Sequence, residues 1–235
     1  MRQIVLDTET TGLSTSDGHR IIEIGCVEMV NRKLTNRHFH HYICPDRKVD
    51  EGALEVHGIT DEFLENKPRF GEIVDEFLEF VRNSELIIHN APFDIGFLDY
   101  ELSLLDPQGG KVRDSCKVLD TLVLAREMHP GQKNNLDALC RRYEVNNSQR
   151  ELHGALLDAE ILADVYLMMT GGQADLLFVS EEQSSELKTR KRVRKERPAL
   201  KVVKPHAGEL ALHQKQLELL NKASGGQCLW DKLES

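Results

Sequence analysis

The apolar positions of this chain follow two periods. Ile4-Val5-Leu6 is a continuous apolar run of the kind covered on both faces of a sheet, and it predicts a first strand. Residues Ile21 to Val30 alternate well enough for a second strand. Asn31-Arg32-Lys33 reads as a turn, and Leu34 to Cys44 predicts a third strand antiparallel to the second. Pro45 ends this run. Thr60, followed by Asp61 and Glu62, has the form of a helix N-cap with acids in the first turn, and His57 just before it reads as a loop histidine. The period then lengthens. Phe70, Ile73, Val74, Phe77, Leu78 and Val81 keep helical spacing. Leu86-Ile87-Ile88 is a buried strand that runs directly into His89-Asn90-Ala91-Pro92-Phe93-Asp94. Pro92 suits the first helical position, which places Asp94 in the first turn of a helix continuing through Leu98, Leu102 and Leu105. Cys116 to Leu119 predicts a strand and Thr121 to Met128 a helix broken by Pro130-Gly131. Leu136 to Tyr143 predicts a short helix and Ala155 to Met169 a long one.

A hairpin followed by alternating strands and helices argues for an α/β fold, a mixed sheet with helices on both faces. This body spans 1–171 and ends at Gly171-Gly172. Residues 172–199 read as a polar, charged linker. The tail, 200–235, holds a candidate strand, Leu200 to Val203, and an amphipathic helix, Glu209 to Leu220.

Composition changes this picture only in part. The 40% hydrophobic content is that of a globular protein, and no apolar run reaches membrane-spanning length. Met1-Arg2-Gln3-Ile4 passes straight into a strand, so the expectation is a cytoplasmic chain without a signal peptide. Cys26, Cys44, Cys116, Cys140 and Cys228 are widely spread and read as reduced core thiols, not as a disulfide or zinc framework. Charge changes more. Residues 188–204 hold nine Lys or Arg against one acid, Glu196, a local +8 within a total of -9, so the rest of the chain carries -17. An acidic body holds a polyanion locally, through metal and backbone donors, not through a broad positive field. The basic run itself reads as a solvated, extended linker, with contact to nucleic-acid phosphates as the alternative.

The candidate chemistry begins where the first strand ends. Side chains at i and i+2 share a face, so Asp7 and Glu9 point one way and Thr8 the other. Two carboxylates in one small volume raise one another's pKa unless a positive charge sits between them, and a hard divalent cation is the simplest candidate. Asp158 shares its helical stripe with Leu162, Val165 and Met169, which turns its carboxylate toward the core. A buried carboxylate neutralises or finds a cation. His153 lies five residues earlier, a rotation of about 140° on a continuous helix. To share a site with Asp158 it must stand on the loop before the helix, and Gly154 offers the break. Asp94 has the helix dipole as an alternative reason for its place, and His89 reads as a polar cap.

D-x-E-T-T-G at 7–12, H-N-A-x-F-D at 89–94 and H-G-A-L-L-D-A at 153–159 resemble, in order, the three exonuclease motifs of the DnaQ-like superfamily. Within it the likeness is to proofreading subunits of bacterial replicative DNA polymerases, and it extends through the tail. The resemblance implies a ribonuclease H-like fold with a mixed five-stranded sheet. It implies that Asp7, Glu9, Asp94 and Asp158 hold two divalent ions, Mg²⁺ or Mn²⁺, and that His153 is the general base of a 3′-to-5′ hydrolysis releasing nucleoside 5′-monophosphates. Thr10, Gly12 and Leu13 are then expected to meet the terminal nucleotide, with His57 and Asn90 as further substrate contacts. A frayed or single-stranded DNA 3′ end is the implied substrate, since a mispaired terminus unpairs more cheaply. RNA-trimming relatives keep the same acids, and a structural subunit with vestigial acids is a second alternative.

The tail carries the implied partners. Gln173-Ala174-Asp175-Leu176-Leu177-Phe178 resembles a sliding-clamp-binding peptide, in which Gln173, Leu176, Leu177 and Phe178 fill a clamp pocket. Helix-end packing of Leu176 and Phe178 is the competing reading. Leu229 and Trp230, the one tryptophan, read as an anchor in the polymerase subunit. A small accessory subunit on the body is also implied, with no surface derived for it.

Overall fold

The apolar run after Arg2 becomes the central strand. The computed structural model describes residues 1–150, 152–171, 205–225 and 230. In it β1 (Arg2–Thr10) lies in the middle of a five-stranded sheet of order β3-β2-β1-β4-β5. β2 (Ile21–Val30) and β3 (Lys33–Tyr42) form the expected antiparallel hairpin. Asn31 and Arg32 both take positive φ at its turn, the twist that a tight hairpin requires. β3 stops two residues short of the expected Cys44. The Cys44 N–H is taken instead by the Pro68 carbonyl at 2.9 Å, which draws the chain off the sheet. β4 (Glu85–Ile88) and β5 (Lys117–Asp120) run parallel to β1, so the sheet is mixed.

Two short helices have no counterpart in the hydrophobic pattern. α1 (Glu51–His57) is seven residues long, too few to display a stripe, and Gly58 stops it at φ 70°. His57 therefore ends a helix and is buried, not a loop residue. α2 (Asp61–Leu64) is capped by Thr60, whose hydroxyl accepts the Phe63 N–H at 3.3 Å. α3 (Phe70–Val81) and α4 (Ala91–Leu105) follow, then α5 (Val112–Ser115), the second unexpected turn of helix. α6 (Thr121–Met128), α7 (Leu136–Tyr143) and α8 (Ala155–Gly171) complete the body.

The alternation of β1 decides which helices it meets. Ile4 and Leu6 face the layer of α3 and α4, with Phe70, Phe77, Ile95 and Leu98. Val5 faces the opposite layer, with Ala159, Leu162 and Tyr166 of α8. Each such fully buried side chain contributes about 1.5–3 kcal/mol. α8 lies so close over β2 that a Cβ on Gly25 would stand 2.2 Å from the Leu156 nitrogen, so only glycine admits the helix there.

The chain divides into two units, Met1–Phe178 and Val179–Ser235. In the second, α9 (Ala207–Ala223) forms where the tail helix is expected, with Leu210, Leu212, Leu219 and Leu220 exposed. Trp230 is also exposed. The clamp-like segment 173–178, the remainder of the 172–199 linker, the candidate strand 200–203, Cys228 and Leu229 lie outside the described residues. Cys26, Cys116 and Cys140 are buried free thiols, whereas Cys44 is only partly buried. Among the described residues no helix is long and apolar enough to cross a membrane.

Candidate active site

Both layers contribute to one cleft at the carboxyl end of β1. Asp7 and Glu9 continue the face of Val5 and so point toward α8, which carries Asp158. Thr8 continues the face of Leu6 and points toward α4, where its hydroxyl donates to Asp94 Oδ1 at 2.7 Å. The strand thus sends acids to one side and holds the acid of the other side with a threonine. Asp7, Glu9, Asp94, Asp158 and His153 all line a cleft of about 260 Å³. Glu9, His153 and Asp158 each offer a ligand atom within 4.8 Å of the others.

Three backbone devices set the His153 loop. The His153 N–H donates to the Val56 carbonyl at 3.1 Å, tying the loop to the end of α1. Gly154 precedes α8, and the Ala155 N–H at the start of that helix donates to Glu23 Oε2 at 3.1 Å. Glu23, buried in β2, also meets His40 Nε2 at 2.7 Å. The break at Gly154 leaves His153 ahead of the helix, and its Nδ1 lies 3.4 Å from Asp158 Oδ2.

Crowding of the acids has an electrostatic consequence. Burial pushes the Asp7 carboxyl well above the ordinary value, with Asp94, Glu9 and Asp158 adding repulsion. Glu9 is pushed up to about 8, by burial first and then by Asp158, Glu23 and Asp94. Asp94 is pushed up to about 7 by burial, against the hydrogen bonds from Thr8. Asp158 goes the other way. Burial would raise it, but the nearness of His153 and the paired hydrogen bonds and positive charge of Arg150 outweigh that and hold it low.

A larger pocket of about 660 Å³ adjoins the cleft and shares Thr8, Glu9 and Phe93 with it. Thr10, Gly12, Leu13 and His57 line this second pocket. Leu13 lies at its rim, an apolar side chain 86% exposed. His57 accepts the Ile59 N–H at Nδ1 (3.0 Å), so its proton is on Nε2. That Nε2 is buried and approaches the Thr10 carbonyl without a well-aligned hydrogen bond; it has no partner among the described residues. Asn90 stands apart from these four, in the acidic cleft, in a left-handed conformation (φ 67°) at the start of α4.

An exonuclease family model, RNase_T, matches residues 4–166. The chain belongs to this exonuclease family. It is 54% identical to DNA polymerase III subunit epsilon of Escherichia coli (strain K12), with 97% of each chain covered, and equally so to that of Salmonella typhimurium. The epsilon subunit of Haemophilus influenzae is 53% identical, over 98% of this chain and 95% of its own. Among solved structures, exonuclease X in complex with 5′ overhanging duplex DNA superposes with a TM-score of 0.55 at 25% identity. That match covers 73% of this chain and 92% of exonuclease X. A zinc-bound Escherichia coli ExoI complex with single-stranded DNA shares the fold, with a TM-score of 0.62 at 17% identity over 73% of this chain and 41% of its own.

The cleft of this exonuclease suits a metal by the chemistry of its donors. Four carboxylates supply hard oxygen ligands with an imidazole beside them, no thiol is among the described residues lining the cleft, and three of the acids resist ionising beside one another, a cost that a divalent cation would relieve. Around the cleft and the adjoining pocket, Arg150 and His19 carry no signal in the sequence. Arg150 is 8% exposed and donates from Nε and Nη2 to Asp158 Oδ1 and Oδ2, from Nη2 to His153 Nδ1 and from Nη1 to Asp137 Oδ1. Its place in Asn147-Ser148-Gln149-Arg150 reads as an ordinary polar turn. His19, buried in a polar loop, bonds Thr11 Oγ1 at 3.0 Å and comes within 3.4 Å of Asp50. Its ring lies where a Cβ on Gly12 would be, the nearest ring atom 2.2 Å away. His89, read as a polar cap, does bond Thr121 Oγ1 at 3.0 Å but also lines the cleft.

Proposed function

We propose that this exonuclease is the proofreading subunit of a DNA polymerase III, removing mispaired 3′-terminal nucleotides of DNA as 5′-monophosphates. The observation that carries this reading is the convergence of Asp7, Glu9, Asp94 and Asp158 with His153 in one cleft, beside a pocket with an exposed Leu13 at its rim. Asp7, Glu9, Asp94 and Asp158 would hold two divalent ions, Mg²⁺ or Mn²⁺. Bound there, such ions supply Lewis-acid stabilisation of the attacking and leaving oxygens of an in-line displacement.

The protein groups have separate tasks. His153, half exposed beside Asp158, takes the proton of the attacking water. Thr10 donates its hydroxyl to the Gly12 carbonyl at 2.6 Å and so shapes the loop that meets the terminal nucleotide. Leu13 wedges against the terminal base, while His57 offers its Nε2–H to the nucleotide as a fixed donor. Asn90 contacts the substrate from the acidic side of the cleft. Residues 1–171 form the exonuclease domain, 172–199 a linker and 200–235 a polymerase-binding tail. Gln173, Leu176, Leu177 and Phe178 bind the sliding clamp, Leu229 and Trp230 bind the polymerase III alpha subunit, and a small theta-like subunit binds the body.

Release of mononucleotides from a 3′-mispaired DNA primer with Mg²⁺ tests this reading, comparing the wild type with Asp7→Ala and running an RNA strand alongside. Rapid DNA trimming that the variant loses is the expected result. Equal trimming by both proteins, or preference for the RNA strand, would refute it.

A further inference from the structure

Among the described residues lining the acidic cleft Arg150 is the one arginine or lysine, and it stands in the middle of the groups assigned to the chemistry. Its guanidinium occupies both oxygens of Asp158, with Nη2 2.7 Å from Oδ2. Nη2 also lies 2.9 Å from His153 Nδ1. Guanidinium only donates, so Nδ1 accepts, and the neutral His153 ring then carries its proton on Nε2. In this arrangement a metal ligand has no oxygen left free of arginine. The imidazole has both nitrogens engaged, one by a donor and one by its own proton. The third contact, Nη1 to Asp137 Oδ1 at 2.7 Å, reaches an acid in the first turn of α7 that is half exposed and has no other charged partner among the described residues.

We propose that Arg150 is an exchangeable counter-ion that latches the metal-free site: it holds Asp158 and His153 until a divalent cation displaces it, and it then pivots on Asp137. The inference rests on the reading of Asp158 as a metal ligand and of His153 as the base. Its logic is competition for one carboxylate. A cation that binds Asp158 meets a guanidinium already held in a bidentate, charge-assisted pair with the same carboxylate, and the two like charges compete for it, so the arginine lowers metal affinity while it stabilises the empty acid cluster. Withdrawal also removes the donor from Nδ1 and frees the ring to move its proton there, which leaves a lone pair on Nε2 for the attacking water. Asp137 supplies a landing site for a guanidinium that would otherwise stay buried without a partner.

Mn²⁺ titration of the full chain, stripped of metal, tests the exchange in the wild type, Arg150→Gln, Arg150→Lys and Asp158→Asn. Arg150→Gln is expected to bind Mn²⁺ roughly tenfold or more tightly than the wild type, because no guanidinium competes for the carboxylate. Its metal-free melting temperature is expected to fall. A merely structural loss moves both quantities toward weakness, whereas the latch moves them in opposite directions. Arg150→Lys, which keeps the charge but not the fork, should lie between the two. Unchanged or weaker Mn²⁺ binding by Arg150→Gln overturns the latch while leaving the metal site standing, provided Asp158→Asn loses affinity. If the wild type binds no Mn²⁺, or Asp158→Asn binds it as well as the wild type, the metal reading of Asp158 falls and the latch with it. Ring-nitrogen NMR of His153 gives a second readout. The proton is expected on Nε2 without metal, and finding it on Nδ1 in the metal-free protein overturns the proposal.

Discussion

Replacing Glu9 by Gln should stabilise the metal-free protein at alkaline pH, although it removes a proposed metal ligand. Glu9 is pushed from 4.5 to about 8 by burial and by its acidic neighbours. The folded chain therefore keeps this proton up to about pH 8, while the unfolded chain releases it near 4.5. Between those values the folded state binds more protons than the unfolded one, so stability falls as pH rises through the window. The full displacement of some 3.5 pH units corresponds to about 5 kcal/mol at pH 8.5. Arg150 and water at the cleft mouth screen the cluster as it ionises, and we expect at least about 2 kcal/mol of this to be realised. Glutamine mimics the protonated acid and carries none of the penalty. In EDTA, Glu9→Gln should match the wild type near pH 4 and melt roughly 4–8 °C above it at pH 8.5, on the scaling for a domain of this size. Saturating Mn²⁺ should narrow or reverse the gap, since only the wild type keeps the ligand. Thermal melts across pH 4 to 9 measure this directly. A gap that does not depend on pH, or a variant less stable than the wild type at pH 8.5 without metal, would refute the account of the cleft as electrostatically strained.

Three other perturbations separate chemistry from scaffold. His153→Gln should lower the turnover of a mispaired primer by about 10²–10⁴-fold while Mn²⁺ still raises the melting temperature; loss of both would mean that His153 holds the loop instead of the proton. Gly25→Ala places a methyl 2.2 Å from the Leu156 nitrogen and should cost at least about 1–3 kcal/mol in urea unfolding, with a drop in rate because α8 carries Asp158; an unaltered midpoint would show that the helix moves aside freely. Glu101 is 1% exposed and accepts both arms of Arg20 (2.8 and 2.7 Å) and the Ile21 N–H, so Glu101→Ala should lose about 3–5 kcal/mol. A loss below 1 kcal/mol in the same unfolding experiment would contradict the pairing.

Periodicity and capping marked the long elements because those signals are local. The helical stripe from Phe70 to Val81 records the face that meets a core and Pro92 marks the start of α4, whereas the alternation of Ile21 to Val30 marks a strand but not its exposure, since β2 is buried on both faces. Elements shorter than about two turns showed only where a cap announced them, as Thr60 does for α2: α1 and α5 have too few residues to show a stripe, and groups from other elements hold them, the His153 N–H at Val56 and Asp99 at Val112. Asp7, Glu9 and Asp158 were legible as candidates because carboxylates stood where apolar residues or turn formers belong, His153 because its spacing to Asp158 required a break at Gly154, and Asp94, ordinary in a helix's first turn, only through the H-N-A-x-F-D motif. Their meeting in one cleft was a tertiary outcome. It depends on the two faces of β1, on Gly25 admitting α8 and on Glu23 fixing the start of that helix. Arg150, Asp137 and His19 were invisible beforehand for the same reason. A polar residue in a turn acquires a role only from what the fold brings within 3 Å of it, and no local period encodes that neighbour.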